Sequence, residues 1–198
     1  MSNINGKVYA INVITPMKPW KTHILRSLFF LLDHVKPLQS KLINLSFISF
    51  ARWAVMRKNT WPSPGGATPR EAMNYDYLLF FSNFNGTWNQ YIDAFAAVLG
   101  TELNLVWRWS EKFPGSNPVS GFKEYIGRVQ FDTDYYYTAY PHATANDTKS
   151  AHVVQASFND LSTTAEEMSP EQFREAYLRF VISVQTHLGE CGVAPVVF

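Results

Sequence analysis

One apolar run constrains the fold of this chain more than any other feature. Residues 75–84 read YDYLLFFSNF, and so continuous an apolar run is typical of a strand that is buried on both faces. Gly86 follows the run and allows a sharp turn. Thr87 with Gln90 three residues later is a capping box, which marks the start of a helix. The segment therefore predicts an interior strand that leads directly into a helix.

Three other segments have the composition of strands. Residues 7–15 alternate and are rich in β-branched side chains, and Pro16 is expected to end that strand. Residues 45–57 form the second predicted strand, and residues 134–140 form the fourth. Together with the apolar run, these segments supply four strands.

Helical periodicity and capping signals lie between and after the strands. The first helix is predicted over residues 20–35, and the last begins at Ser169 and runs to about Leu188. Other helices or short elements are predicted over residues 87–100, 103–109, 122–129 and 147–161. The last helix carries an apolar stripe that is expected to pack on another apolar surface. The stripe consists of Phe173, Tyr177, Phe180, Val181, Val184 and Leu188.

The order of these elements predicts the fold class. The order β-α-β-β-α-β is the ferredoxin-like plan, and residues 58–74, rich in proline and glycine, are predicted to be a loop. We therefore expect an α+β protein with an antiparallel ferredoxin-like sheet. A chain of 198 residues suits a single domain. Residues 7–141 would form its core, and residues 142–198 would add C-terminal helices.

Composition argues against several classes of partner. The formal net charge is +1 and the basic residues are scattered, so no nucleic-acid partner is expected. The longest apolar run, residues 28–32, is far shorter than the roughly 20 residues of a membrane span, and no secretory signal is visible. Cys191 is the only cysteine, which rules out an intrachain disulfide. We expect a soluble, cytoplasmic protein without a membrane span.

Five stretches resemble a known fold family. They are FARW at residues 50–53, LFFSNFNGTW at 79–88, LVW at 105–107, FPG at 113–115 and YYTAYP at 136–141. Together they resemble a poorly characterised family of the dimeric α/β-barrel superfamily, distantly similar to dye-decolourising peroxidases and related oxidoreductases. This resemblance implies a ligand cavity between the open sheet face and covering helices or a partner subunit, and we expect the protein to be a homodimer. The Gly-x-x-Asp-Gly motif of the dye-decolourising peroxidases is absent from this sequence.

Arg52 is the most pointed candidate for a catalytic residue. It lies in a predicted strand between Phe50 and Ala54, where a buried guanidinium requires an anion or several carbonyl groups. The anion is either a ligand group, such as a carboxylate, an enolate or a haem propionate, or a structural partner. The candidate structural partners are Asp76, Asp93 and Glu102.

Aromatic side chains supply the other candidates for a ligand site. Tyr135, Tyr136 and Tyr137 must alternate between the two faces of a strand, so at least one should face the open side; we predict Tyr137 as catalytic. The predicted ligand-binding residues are Asn83, Phe84, Trp53 and Trp107. Simple packing is the alternative for the aromatic residues, because aromatic side chains dominate protein cores and interfaces.

Two of the five histidines are candidates for chemistry. No pair has the spacing of a metal site, so no metal centre is expected. His142, after the fourth predicted strand, is a candidate general base or haem contact, with a loop histidine as the alternative. His187, beside the stripe of the last helix, is a candidate axial haem ligand. Its alternative is a surface group that compensates the helix dipole.

The sequence leaves three functions open. The first is a protein that binds a small hydrophobic or flat molecule in an aromatic, mostly apolar cavity, with oxidoreductase chemistry of the peroxidase or cofactor-free monooxygenase kind. The second is a non-catalytic binding or homo-oligomeric assembly module, with the aromatic surface as a subunit interface. The third is a haem enzyme, although no specific motif indicates haem as the cofactor.

Overall fold

The computed structural model describes residues 3–34, 47–62, 65 and 73–188. The first two residues of the second predicted strand, Cys191 and most of the predicted loop at residues 58–74 therefore lie outside the described part. The strands are β1 (Ile4–Asn5), β2 (Val8–Met17), β3 (Ile48–Met56), β4 (Asp76–Phe84) and β5 (Gln130–Phe131). The helices are α1 (Pro19–His34), α2 (Trp88–Trp107), α3 (Val119–Val129), α4 (Ala145–Ala165) and α5 (Pro170–Val184).

The five strands form one antiparallel sheet, so the predicted α+β class is confirmed. β4 lies between β2 and β3 and pairs with both. β1 and β5 share the other edge of β2, where β1 pairs at Val8 and Tyr9 and β5 pairs at Asn12 and Val13. Three of the four predicted strands are thus confirmed over the described residues.

The predicted strand at residues 134–140 is wrong. In its place β5 ends at Phe131, and the segment that follows is irregular chain, called here the tyrosine coil (residues 132–141). The short strands β1 and β5 already pair with this edge of β2. The tyrosine coil is therefore held by a side-chain hydrogen bond and a backbone hydrogen bond and not by strand pairing. The Asn5 side chain donates to the Tyr136 carbonyl at 2.9 Å, and the Lys7 N–H donates to the Pro141 carbonyl at 2.7 Å.

Pro16 does not end the first predicted strand. Proline has no backbone N–H, but at this position no hydrogen bond to β4 is lost, because the polar backbone groups of Pro16 point to the other side of β2. The Pro16 carbonyl accepts a hydrogen bond from the Glu111 N–H at 2.8 Å, beside the isolated bridge between Met17 and Ser110. This side of β2 faces away from β4. Proline is tolerated where a strand presents its N–H away from the ladder.

α2 is longer than predicted, because Gly100 does not end it. The helix is kinked at Leu99 (φ −114°, ψ 18°) and continues to Trp107, so the separate element predicted at residues 103–109 belongs to it. A Cβ on Gly100 would lie 3.3 Å from the Ser116 hydroxyl oxygen, which donates to the Gly100 carbonyl at 3.0 Å. Gly100 therefore allows a close approach of the chain after α2.

Aromatic rings fill the core between the helices and the inner face of the sheet. Phe84 stacks on Tyr91 with 3.9 Å between ring centroids, and Phe80 meets Trp107 edge to face at 5.1 Å. Burial raises the pKa of Tyr91, and the nearby Ser82 hydroxyl partly opposes that rise. This packing accounts for much of the high aromatic content of the chain.

α5 begins at the predicted Ser169, whereas α4 begins two residues before the predicted Asp147, and the two helices pack on each other. Capping boxes open both helices, at Thr144 and Ser169, and Phe158 meets Phe180 with 6.0 Å between ring centroids. The predicted stripe of α5 is only partly covered: Val184 is buried, whereas Tyr177 is 47% exposed. In the described part of the chain, no helix is both long and apolar enough to cross a membrane.

Gly6 provides a test of how the tyrosine coil is held. Its φ is +58°, and a Cβ there would lie 1.9 Å from the Pro141 carbonyl oxygen. We expect Gly6→Ala to lower the free energy of unfolding by about 1 to 3 kcal/mol in urea denaturation. Gly127→Ala is the control, because this helical glycine has no heavy atom within 4 Å of the added Cβ. It should be stabilising by roughly 0.5 to 1 kcal/mol; equal effects of the two changes would contradict the prediction.

Candidate functional site

The outer face of the sheet, opposite the aromatic core, is the surface on which the predicted site residues converge. Successive residues of a strand point to opposite faces, so the outer row of β4 alternates with its buried row. Phe50 and Phe131 are exposed on this face. We call this surface the open face. It consists of Asn12, Ile14, Phe50, Arg52, Ala54, Tyr77, Leu79, Phe81, Asn83, Phe131 and Tyr136.

Arg52 lies on the open face and is exposed, so the expectation that it is desolvated is wrong. Its guanidinium carbon lies 4.9 Å above the centre of the Phe81 ring, its neighbour on β4. Among the described residues it forms no ion pair. Asp76 bonds to Thr22 at 2.6 Å and Asp93 to Lys123 at 2.8 Å, so neither is its partner. The charge of Arg52 is therefore accessible to a ligand.

Asn83 meets a tyrosine that the sequence did not single out. The side-chain amide of Asn83 donates to the hydroxyl of Tyr136 across the open face. Tyr137, predicted as catalytic, is instead 70% exposed in the coil, and Tyr135 is 83% exposed. The sequence predicted that at least one of the three tyrosines would face the open side, and Tyr136 does so. Because residues 132–141 do not form a strand, the alternation of faces along a strand could not identify which tyrosine it is.

The chemistry of this pair follows from the burial of the phenol. Partial burial raises the pKa of Tyr136, and the hydrogen bond from Asn83 partly lowers it again. The phenol therefore remains protonated at neutral pH. Because its oxygen accepts from Asn83, its hydrogen is available to donate to a further acceptor. Tyr136 and Arg52 thus present a hydrogen-bond donor and a cation on one surface.

Three predicted ligand-binding residues lie in the core. Phe84 and Trp107 are buried, and Trp53 points to the same inner side from β3. The indole N–H groups of Trp53 and Trp107 have no hydrogen-bond partner among the described residues. Trp53 packs on Phe80 with 4.9 Å between ring centroids. Their structural role is to support the sheet that carries Arg52 and Asn83.

His142 and His187 line one groove, which shares no residue with the open face. The groove has a volume of about 640 Å³. Nδ1 of His187 lies 3.3 Å from the hydroxyl of Ser150, which leaves Nε2 as the nitrogen for a ligand or an axial contact to haem. No group of three or more His, Cys, Asp or Glu that suits a metal ion occurs among the described residues.

Asn85 shows that the polar cluster after β4 has a structural role. Its side-chain amide donates to the Lys7 carbonyl at 2.6 Å, and its side-chain oxygen accepts from the Ala145 N–H at 2.9 Å. The buried Asn85 side chain therefore joins the turn before β2 to the first residue of α4. Through these bonds it positions the elements on which the groove is built.

The chain was compared with protein-family models, with curated proteins and with solved structures, and none of the three comparisons gave a match.

The pair of Asn83 and Tyr136 can be tested by titration. In Asn83→Leu the phenol loses the hydrogen bond that lowers its pKa and remains buried, so we expect its midpoint to move to higher pH. Carbon-13 NMR of labelled tyrosine measures this midpoint, and Tyr136→Phe assigns the signal. The control is Asn12→Leu, because Asn12 bonds instead to Thr133 at 2.8 Å. A lower or unchanged midpoint in Asn83→Leu would contradict the contact.

Proposed function

We propose that the protein binds a flat, mostly apolar small molecule on its open face, with an anionic oxygen of the ligand held by Arg52. The observation that carries this proposal is the exposed guanidinium stacked on Phe81, without an ion pair to any described residue. A guanidinium held over an aromatic ring is well placed to bind a carboxylate or an enolate with two hydrogen bonds.

The spacing of the polar groups supports a ligand with a single ring or two fused rings. Arg52 pairs with Phe81, and Asn83 lies two residues further along β4. Such diagonal neighbours on one face of a sheet are about 7 to 8 Å apart. A flat ring system can lie between them, beside the Arg52 guanidinium that covers Phe81, while the Tyr136 hydroxyl donates to a second oxygen of the ligand.

We further propose that the sheet is of the ferredoxin-like, dimeric α/β-barrel type and that a second copy covers the open face. The order β5-β2-β4-β3 and the position of the core helices on one side support this arrangement. Aromatic residues are common in the buried centre of such interfaces, and Phe50 and Phe131 are exposed here.

Oxidoreductase chemistry of the cofactor-free monooxygenase kind is the reaction class that we propose for this face. Its substrate is an electron-rich ring carrying an ionised hydroxyl or enol. A cation beside such a substrate stabilises the anionic form, and a neutral phenol donates to the oxygen on which negative charge develops. Arg52 and Tyr136 would take these two roles, with Asn83 orienting the phenol.

We expect 2-naphthoate, a flat aromatic carboxylate, to bind in calorimetric titration and Arg52→Gln to weaken that binding about tenfold. A hydrogen-bonded charge pair of this kind contributes about 1.5 to 3 kcal/mol. Arg108→Gln is the matched control, because Arg108 is also exposed and stacks on an aromatic ring, that of Trp109 at 5.3 Å, but lies outside the open face. Equal weakening by both changes would contradict the proposal.

The haem alternative is tested by the absorption spectrum of the unaltered protein. Protein purified from cells supplied with a haem precursor is expected to show no Soret band. A Soret band that disappears in His187→Ala would favour a haem protein and overturn the cofactor-free reaction.

A homo-oligomeric assembly module is the second candidate function. The observation that favours it is the exposed apolar area on the open face and on α5, where Tyr177 and Ile182 are exposed. In this case the aromatic surfaces are subunit contacts, and no small molecule is required.

Sedimentation velocity tests the interface on the open face that both candidates share, and 2-naphthoate binding then separates them. Phe50→Asp places a charge on the open face and should shift the protein from dimer to monomer, whereas Trp20→Asp, an exposed aromatic on α1, should not. A dimer that survives Phe50→Asp would exclude the open face as the interface. A dimer that binds no 2-naphthoate would favour the assembly module.

A further inference from the structure

We propose that the groove beside α4 is a second binding site, for a monocarboxylate with an unbranched apolar chain. The groove has a volume of about 640 Å³, within the range of about 300 to 1,000 Å³ of small-molecule sites. It is lined by Lys7, His142, Asp147, Ser150, Ala151, Val154, Gln155, Phe158, His187 and Leu188. None of these residues belongs to the open face.

The groove has a polar end and an apolar end, which follow from the direction of α4. The lining residues of α4 recur three or four positions apart from Asp147 to Phe158, so they form one face of the helix. At 1.5 Å per residue that face is roughly 16 Å long. Asp147 and Ser150 come first along the helix, and the apolar Ala151, Val154 and Phe158 follow, with Gln155 as the one polar residue among them. A molecule with a polar head and an apolar tail matches this order.

Three residues that carry nitrogen donors line the groove, and each comes from a separate segment. The Lys7 ammonium comes from the turn before β2, His142 from the chain that enters α4, and His187 from the turn after α5. The Ser150 hydroxyl lies 3.3 Å from Nδ1 of His187 and so fixes this imidazole at the head of the groove. A carboxylate can accept from ammonium and imidazole donors together.

Asp147 is the one acidic residue among the described residues of the lining, and it already has a structural role. Its carboxylate accepts the Thr144 N–H at 2.7 Å in the capping box of α4. A negative charge in the first turn of a helix is favourable, so this carboxylate compensates the helix terminus. Lys7 remains as the full positive charge of the lining, and the head group of the ligand is therefore an anion.

The apolar end excludes a small inorganic anion as the preferred ligand. Ala151, Val154 and Phe158 supply that end from α4, and Leu188 adds a further apolar side chain to the lining; Phe158 and Leu188 are about half exposed. Covering these side chains with an alkyl chain contributes about 25 cal/mol for each Å² of apolar area buried. Head and tail should thus both be needed for tight binding.

Calorimetric titration with decanoate, kept below its micelle concentration, tests this site. We expect one decanoate per chain, with decanol and acetate each at least about tenfold weaker, because one lacks the charge and the other lacks the chain. Lys7→Glu and Ala151→Glu should each weaken decanoate by at least about tenfold. His152→Glu is the matched control, since His152 is the exposed neighbour of Ala151 on α4 and lies outside the lining.

NMR of the unaltered protein tests the same site without relying on variants that do not fold. Decanoate should shift the NMR signals of the His142 and His187 rings, while those of His23, His34 and His152 stay unchanged. Binding that shifts neither His142 nor His187, equal loss in His152→Glu, or no saturable binding would each overturn the proposal. Arg52→Gln should leave decanoate binding unchanged, which separates this site from the one on the open face.

Discussion

The position of β4 between two partner strands is the constraint on which the rest of the structure depends. Its inner row, which includes Phe80 and Phe84, packs into the aromatic core, and its outer row carries Phe81 and Asn83 on the open face. A register slip by one residue would exchange these two rows. Burial of the inner rings therefore fixes the register that also places Asn83 beside Tyr136 and Phe81 beneath Arg52.

Local signals in the sequence predicted the elements that depend on local interactions. The capping boxes at Thr87 and Ser169 open helices as expected, because a cap needs only neighbours three residues apart. Gly100 resembled a helix end but serves a contact with Ser116, which is distant along the chain. The strand predicted at residues 134–140 failed for a similar reason: pairing depends on a free edge, and β1 and β5 already pair there with β2.

The site could be predicted only in part, because burial and convergence are tertiary properties. Sequence reasoning selected Arg52 on the premise that it is buried, yet among the described residues β3 pairs only with β4, and its outer side chains stay exposed. The same reasoning selected His142 and His187 separately, and no local pattern indicates that they line one groove. The hydrogen bond between Ser150 and His187, and the amide of Asn85 that joins β4 to α4, became apparent only in three dimensions.

The tyrosine coil connects the two proposed sites through a short, well-anchored length of chain. Tyr136 contributes its hydroxyl to the open face, and six residues later His142 enters the groove. Between them the Pro141 carbonyl is bonded to the N–H of Lys7, whose side chain also lines the groove. The lack of a Cβ on Gly6 permits this contact, since a Cβ there would collide with the Pro141 carbonyl. A change that displaces Pro141 would therefore move the donor on the open face and the head of the groove together, whereas substitutions of Arg52 or Ala151 act on one surface alone.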